Sequence, residues 1–327
     1  MKQDLGSYKA FFHGCLRVDE TAAGLVPRRF TPEQYAHWQS QGEVRFARSK
    51  TSAGALLRFT SSASELRFQY HVISLSSDKM CFDLYEGGHF SESIAMDTSV
   101  GSSQVVFHRI FSGEEGRKKE ITIYLPFTAE IALSGFDFGE DAFPVPRVYE
   151  HRVIWLGDSI SQGMHASHSS QSIAARMFRI TGYEIINQGV GGAGYKDISL
   201  DFTYGDYPAD RLVILLGTND NGAISADRDR YLNRMRISLE RACTSFPPGN
   251  IRLMTPFWRA DLSKPEIGGP FEDILAAIRR EAQRLGIPLV EGLYANPRGT
   301  DFFSDNRLHP NDVGFAAITE ALSDMFD

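Results

Sequence analysis

Little in this chain points to a membrane, a nucleic acid or a disulfide framework. Only three of its 327 residues are cysteine, Cys15, Cys81 and Cys243. The number is odd and no spacing resembles CxxC or a metal-ligand pattern, so they read as reduced, mostly buried thiols. Basic residues are not in excess: 34 Lys and Arg stand against 41 Asp and Glu, a net charge of −7. That balance offers no footprint for nucleic acid or an anionic membrane. No apolar run approaches the ~20 residues of a membrane span. The first residues, Met1-Lys2-Gln3-Asp4-Leu5-Gly6, carry no apolar signal core. Internal repeats and low-complexity tracts are missing as well. The expectation is a soluble, cytoplasmic protein whose partner is a small molecule; oligomeric state is left open.

What is present divides into two rhythms, as a length of 327 residues allows for about two domains. In residues 1–145, Leu66, Phe68, Tyr70 and Val72 alternate with Arg67, Gln69 and His71, the period of a half-buried strand. Further short strands are expected at 55–59, 80–85, 105–111, 121–125 and 131–136. Turn-forming stretches at 60–62, 76–78, 87–88, 101–103 and 113–116 separate them. Strands at this spacing predict an all-β, jelly-roll-like antiparallel sandwich. Residues 31–41 form the one expected helix there, with Pro32 at its first position. Ala142-Phe143-Pro144-Val145-Pro146 breaks the pattern, because residues ahead of proline are pushed to extended geometry. The domain linker is placed there.

Residues 146–327 alternate strands with helices. Strands are expected at 153–156, 184–187, 212–216, 251–254 and 288–290, and helices at 171–180, 230–246 and 271–285 with a C-terminal one capped by Asn311 or Asp312. About five parallel strands between helix layers make an α/β domain. The first strand stops at Gly157, so Asp158 and Ser159 lie at the sheet edge where open α/β folds gather ligands. Taken alone, Gly157-Asp158-Ser159 could equally be an ordinary helix N-cap.

Three other segments share that edge or can fold back to it. They are Asn187-Gln188-Gly189-Val190-Gly191-Gly192-Ala193-Gly194, Gly217-Thr218-Asn219-Asp220 and Ser304-Asp305-Asn306-Arg307-Leu308-His309-Pro310. Chemically they offer a nucleophile, amide donors and a base. Ser159 needs a base, and His309 is the obvious one. Attack on a carbonyl builds an oxyanion, for which the Ser159 and Gly192 amides and the Asn219 carboxamide could serve as donors. Four ordered blocks of this kind resemble the SGNH (GDSL-type) hydrolases. Ser159, Gly192, Asn219 and His309 match the family's four named residues, and Asn187 sits five before the glycine as the family usually has it. The resemblance covers roughly 150–327. It implies a flavodoxin-like three-layer α/β/α domain and ester hydrolysis or acyl transfer, with no metal and no cofactor.

One departure stands out. The family usually places its acid three residues before the histidine, where this chain has Asn306; the carboxylate is one earlier, at Asp305. Either a one-residue shift in the loop lets Asp305 serve, which is the favoured reading, or Ser159 and His309 act as a dyad. Ahead of the α/β half, a β-sandwich resembles the layout of family-two carbohydrate esterases, which deacetylate sugars. Cys81-Phe82-Asp83-Leu84-Tyr85 matches the Asp-Leu-Tyr, but not the glycine, of a Gly-x-Asp-Leu-Tyr group of bacterial SGNH proteins. The resemblance therefore implies a small acyl ester, such as an acetylated carbohydrate, as substrate. The alternatives are an acyltransferase and an inactive carbohydrate-binding protein.

Gly189 to Gly194 also satisfies G-x-G-x-x-G, but residues 195–210 hold Gly205 and Pro208 and leave little room for the helix a dinucleotide site requires. His165 and His168 lack visible further ligands for a metal and are read as loop residues, His165 as a candidate substrate contact. Trp258 and Arg259, after a strand, are the other candidates.

Overall fold

The computed structural model describes residues 5–76, 81–96, 99–101, 105–110, 117–139 and 144–326. The turn stretches at 76–78, 101–103 and 113–116, the start of the linker, Met80 and Phe111 lie wholly or partly outside them.

The first half is two facing antiparallel sheets. One is ordered Phe12–His13, Leu56–Ser61, Lys119–Tyr124, Cys81–Glu86, His89–Ala95, and Val145–Pro146 also pairs with Leu56–Ser61. The other runs Arg17–Thr21, Gly24–Arg28, Ala129–Asp137, Glu65–Leu75, Val105–Ile110. Along Glu65–Leu75 the alternation works as the sequence implies: Leu66, Phe68, Tyr70 and Val72 are buried. They meet Phe59, Phe82 and Ile121 of the opposite sheet in one core. Each such side chain contributes about 1.5–3 kcal/mol by leaving water. The pattern did not reveal the strands Arg17–Thr21, Gly24–Arg28 and His89–Ala95. Arg17–Thr21 and His89–Ala95 have no fully buried residue, and Gly24–Arg28, though mostly buried, carries Pro27.

Two helices, Pro32–Ser40 and Glu43–Lys50, interrupt the strands. Thr31 caps the first in a reciprocal box with Gln34, satisfying two backbone donors left over at the helix start. The second was not anticipated. Phe30 and Trp38 are buried in the core of the α/β half, beside Ile186, Val190 and Tyr195. This helical pair thus packs under the second domain while its flanking strands stay in the first.

In the second half the sheet is wholly parallel: β1 (Arg152–Gly157), β2 (Glu184–Gly189), β3 (Arg211–Leu215), β4 (Ile251–Met254) and β5 (Leu289–Val290). Its order is β2-β1-β3-β4-β5, the flavodoxin-like arrangement. Successive residues of β1 face opposite helix layers. Val153 and Trp155 pack with Ile173, Met177, Phe315 and Ile318. Ile154 and Leu156 pack with Met235, Leu239, Ile274 and Ile278. Both faces being covered explains why these strands read as continuous apolar runs. No helix among the described residues is long and apolar enough to cross a membrane.

Candidate active site

β1 ends at Gly157 because the chain must pass against the helix that follows. A Cβ there would come within 1.9 Å of Ser161 Oγ, so only glycine fits. Asp158 is the N-cap of helix Ser159–Gln162, and its Oδ1 accepts the Ile160 amide at 2.9 Å. The two readings of Gly-Asp-Ser are therefore both realised: a helix cap, with a serine presented at the first helical position. Burial pushes the Asp158 carboxyl up to about 6.

β2 runs two residues past its expected end at Asn187, to Gly189. Asn187 fills that edge: its Nδ2 donates to the Ser161 carbonyl at 2.7 Å and its Oδ1 accepts the Gly189 amide at 2.9 Å. Gly192 follows at φ +86°, a conformation that side chains resist. Three arginines from the first half hold this loop, and nothing in their sequence context announced it. Arg48 Nη1 donates to the Gly191 carbonyl at 2.9 Å, and Arg45 Nη2 to the Gly192 carbonyl at 3.4 Å. Arg29, fully buried, donates to the carbonyls of Thr51, Asn187, Gly189, Arg48 and Ser49. Burial lowers its guanidinium to about 10, still cationic at neutral pH.

The third block is tied to the second. Asn219 Nδ2 donates to the Ala193 carbonyl at 3.0 Å, which leaves its second N–H free for another acceptor. Asp220, fully buried, accepts the Tyr195 amide at 2.9 Å and the Tyr231 hydroxyl at 3.2 Å. Burial raises its carboxyl. Sequence reasoning gave Asp220 no role; here it staples two loops together. Neither the Ser159 nor the Gly192 amide has a protein acceptor among the described residues.

His309 Nε2 lies 3.0 Å from Ser159 Oγ. On the other side of the ring, Nδ1 lies 2.7 Å from Asp305 Oδ2. Asp305 Oδ1 accepts the amides of Arg307, Leu308 and His309 at 3.0, 2.7 and 3.0 Å. Burial works to raise this carboxyl, but the Leu308 amide and the His309 contacts outweigh it and hold Asp305 well below the usual carboxylate range. Asn306 takes up the extra residue in the left-handed region, φ 55°, which Asn tolerates better than most residues. Burial lowers the His309 imidazole despite Asp305, and the nearby His165 adds to the lowering.

His165 stacks on His309, ring centroids 4.4 Å apart and 11° from parallel. With Gln162, Met164 and the sandwich residues Phe127 and Thr128 it lines a cleft of about 240 Å³. Trp258 packs on Phe303, 5.7 Å between centroids, and Phe303 bridges to Pro310 beside His309. Arg259 corrects the expectation of a substrate contact. It is 4% exposed and forks onto Asp261 at 2.5 and 2.9 Å, with Nη1 on the Thr218 carbonyl at 3.1 Å. Its donors hold the loop that follows β4.

Residues 155–317 match the GDSL-like Lipase/Acylhydrolase family. The second domain belongs to that family. Its N-terminal antiparallel domain is an addition to it. No curated protein matches the chain. Among solved structures, a salicylyl-acyltransferase from a tetracycline biosynthetic pathway superposes with TM-score 0.75 at 15% identity, covering 95% of this chain and 92% of that one. A family two carbohydrate esterase from Clostridium thermocellum in complex with cellohexaose gives 0.64 at 16%, over 83% and 91%. An acetyl xylan esterase from the rumen bacterium Butyrivibrio proteoclasticus gives 0.63 at 13%, over 84% and 89%. At such identities the likeness is one of fold, and it spans both domains.

Proposed function

We propose that this acylhydrolase-family protein is a serine esterase that removes a small acyl group through an acyl-enzyme. The observation that carries the reading is the unbroken line Ser159 Oγ, His309 Nε2, His309 Nδ1, Asp305 Oδ2, at 3.0 and 2.7 Å. Ser159 Oγ attacks the ester carbonyl as His309 Nε2 takes its proton. The amides of Ser159 and Gly192 and the free Asn219 N–H hold the oxyanion, where donors fixed in advance are worth most. The intermediate collapses, His309 protonates the departing alcohol, and the acyl group stays on Ser159. Water then attacks, again giving a proton to His309, and the acid leaves. Asp305 keeps Nδ1 protonated and steadies the imidazolium.

In this reading residues 146–327 carry the chemistry and the sandwich, residues 1–145, walls the cleft at His165. The printed name of the acetyl xylan esterase neighbour favours an acetyl group. The names of the two esterase neighbours favour a carbohydrate alcohol. Transfer to an alcohol instead of water is the second reading, prompted by the acyltransferase neighbour.

Ser159→Ala should abolish fluorophosphonate labelling and lower p-nitrophenyl acetate turnover on the order of a million-fold. Turnover retained by that variant would overturn the mechanism, and an unlabelled wild type would leave a binding protein. A panel from acetyl to long-chain esters, with acetylated sugars and competing alcohols, separates hydrolysis from transfer.

A further inference from the structure

Cys81, Asp83 and His168 come from opposite sides of the junction between the two domains, yet the tips of their side chains meet. Cys81 and Asp83 flank Phe82 on strand Cys81–Glu86, and the two-residue period puts them on one face. His168 precedes the turn Ser169–Gln171, in the segment leading away from the helix that presents Ser159. Cys81 Sγ is 3.5 Å from Asp83 Oδ1 and 3.7 Å from His168 Nδ1. Nδ1 and Oδ1 are themselves 3.7 Å apart.

Hydrogen bonds to the Cys81 sulfur account for two of these separations, and the Ser93 hydroxyl also donates to Asp83 Oδ1, but the 3.7 Å between His168 Nδ1 and Asp83 Oδ1 is too long for a bond. A tetrahedral zinc ion explains it better. With sulfur at about 2.3 Å and nitrogen or oxygen at about 2.0–2.1 Å from the metal, ligand atoms stand roughly 3.4–3.6 Å apart. The three observed separations match this to within a few tenths of an ångström. We propose that Cys81 Sγ, Asp83 Oδ1 and His168 Nδ1 bind a zinc ion, with water as the fourth ligand.

The donor set argues for zinc over calcium or magnesium, which take oxygen ligands. Surrounding contacts suit it. Asp83 is fully buried and its Oδ2 accepts the Ser170 amide at 2.6 Å, so the ligating carboxylate is fixed from behind. The His168 side chain is 41% exposed, which gives the ion and its water a way in. Binding of the ion releases the Cys81 thiol proton to solvent. The ion would clamp the segment bearing His165 to the sandwich. It would act as a brace, apart from the chemistry at Ser159.

The test is titration of the metal-stripped, full-length protein with Co²⁺ and then Zn²⁺, comparing wild type with Cys81→Ser and His168→Gln. Both variants keep the Asp83–Ser170 contact. Wild type should take one equivalent of Co²⁺ with a thiolate-to-cobalt charge-transfer band, displaced by Zn²⁺. The band should be lost in Cys81→Ser and saturable binding lost in His168→Gln. Zn²⁺ should raise the Tm of wild type and of neither variant. No charge-transfer band in wild type, a band that survives Cys81→Ser, or equal Tm shifts in all three proteins would overturn the proposal.

Discussion

The groups at the strand ends and the loop that bears His309 are held in different ways. Ser159, Gly192 and Asn219 rest on a scaffold closed from all sides: the sheet behind them, Asp220 between two loops, and Arg29, Arg45 and Arg48 reaching in from the other domain. The His309 loop is held largely by itself. Asp305 gathers three amides of its own loop, and the Ser304 amide returns to the His309 carbonyl at 2.9 Å. Outward ties are fewer: the Ala260 amide donates to the Arg307 carbonyl at 2.8 Å, Arg307 Nη1 lies 3.5 Å from Asp261 Oδ2, and Leu308 is buried in the core of the α/β half. An oxyanion site must be rigid to stabilise charge, whereas a base must swing its proton between two oxygens. On the proposed mechanism, the division of support follows that division of labour.

If the loop is self-supporting, Asp305 is its weakest single point. Asp305→Ala removes both the partner of Nδ1 and the acceptor for three amides. The rate of p-nitrophenyl acetate hydrolysis should fall about 10⁴-fold, and stability at neutral pH should fall as well, because a carboxylate held below its ordinary range in the fold stabilises it there. A fall below tenfold would mean that something other than Asp305 orients His309. On the scaffold side the order reverses. Arg29→Met strips a buried cation from five carbonyls, which should cost about 3 kcal/mol or more of stability. Urea unfolding measures it, and unchanged stability would show that the domains are not joined through this residue.

Asn306 sharpens the comparison further. It is exposed and sits at φ 55°, so Asn306→Val should cost about 1–2 kcal/mol through backbone strain alone. Asn306→Gly, which reaches that conformation freely, should keep wild-type turnover. Equal turnover in the two variants would show that the extra residue is not what sets the Asp305 to His309 contact.

The parts of the site that could be read from the chain are those encoded locally. Gly157, Gly192 and the apolar runs of β1 and β3 announce themselves because each acts on its immediate neighbours. Asp305 was visible as a residue type, but its reach depends on the left-handed turn at Asn306, which spacing cannot express. Arg29 and Arg48 were invisible for a different reason. A buried arginine looks like any surface arginine until the carbonyls it binds, some 140 to 160 residues away in the chain, are in place. The same holds for Cys81 and His168, separated by 87 residues. Helix Glu43–Lys50 was hidden because Ser49 is its one fully buried residue.

The finest test concerns the stacked imidazoles. In the proposed mechanism His309 must be neutral to accept the Ser159 proton, so activity fades as pH falls through its pKa. Burial lowers that pKa, Asp305 raises it, and His165 lowers it again. kcat/KM should therefore lose its acid limb below the ordinary histidine value of about 6.5. His165→Phe keeps a ring against His309 but removes the neighbouring charge. With that repulsion gone, imidazolium is easier to form, so the acid limb should move to higher pH by a fraction of a unit. Turnover on the alkaline plateau should stay near wild type, because His165 moves no proton in the reaction. A shift to lower pH would reverse the sign assigned to His165. A collapse of the plateau would place His165 in contact with the substrate instead.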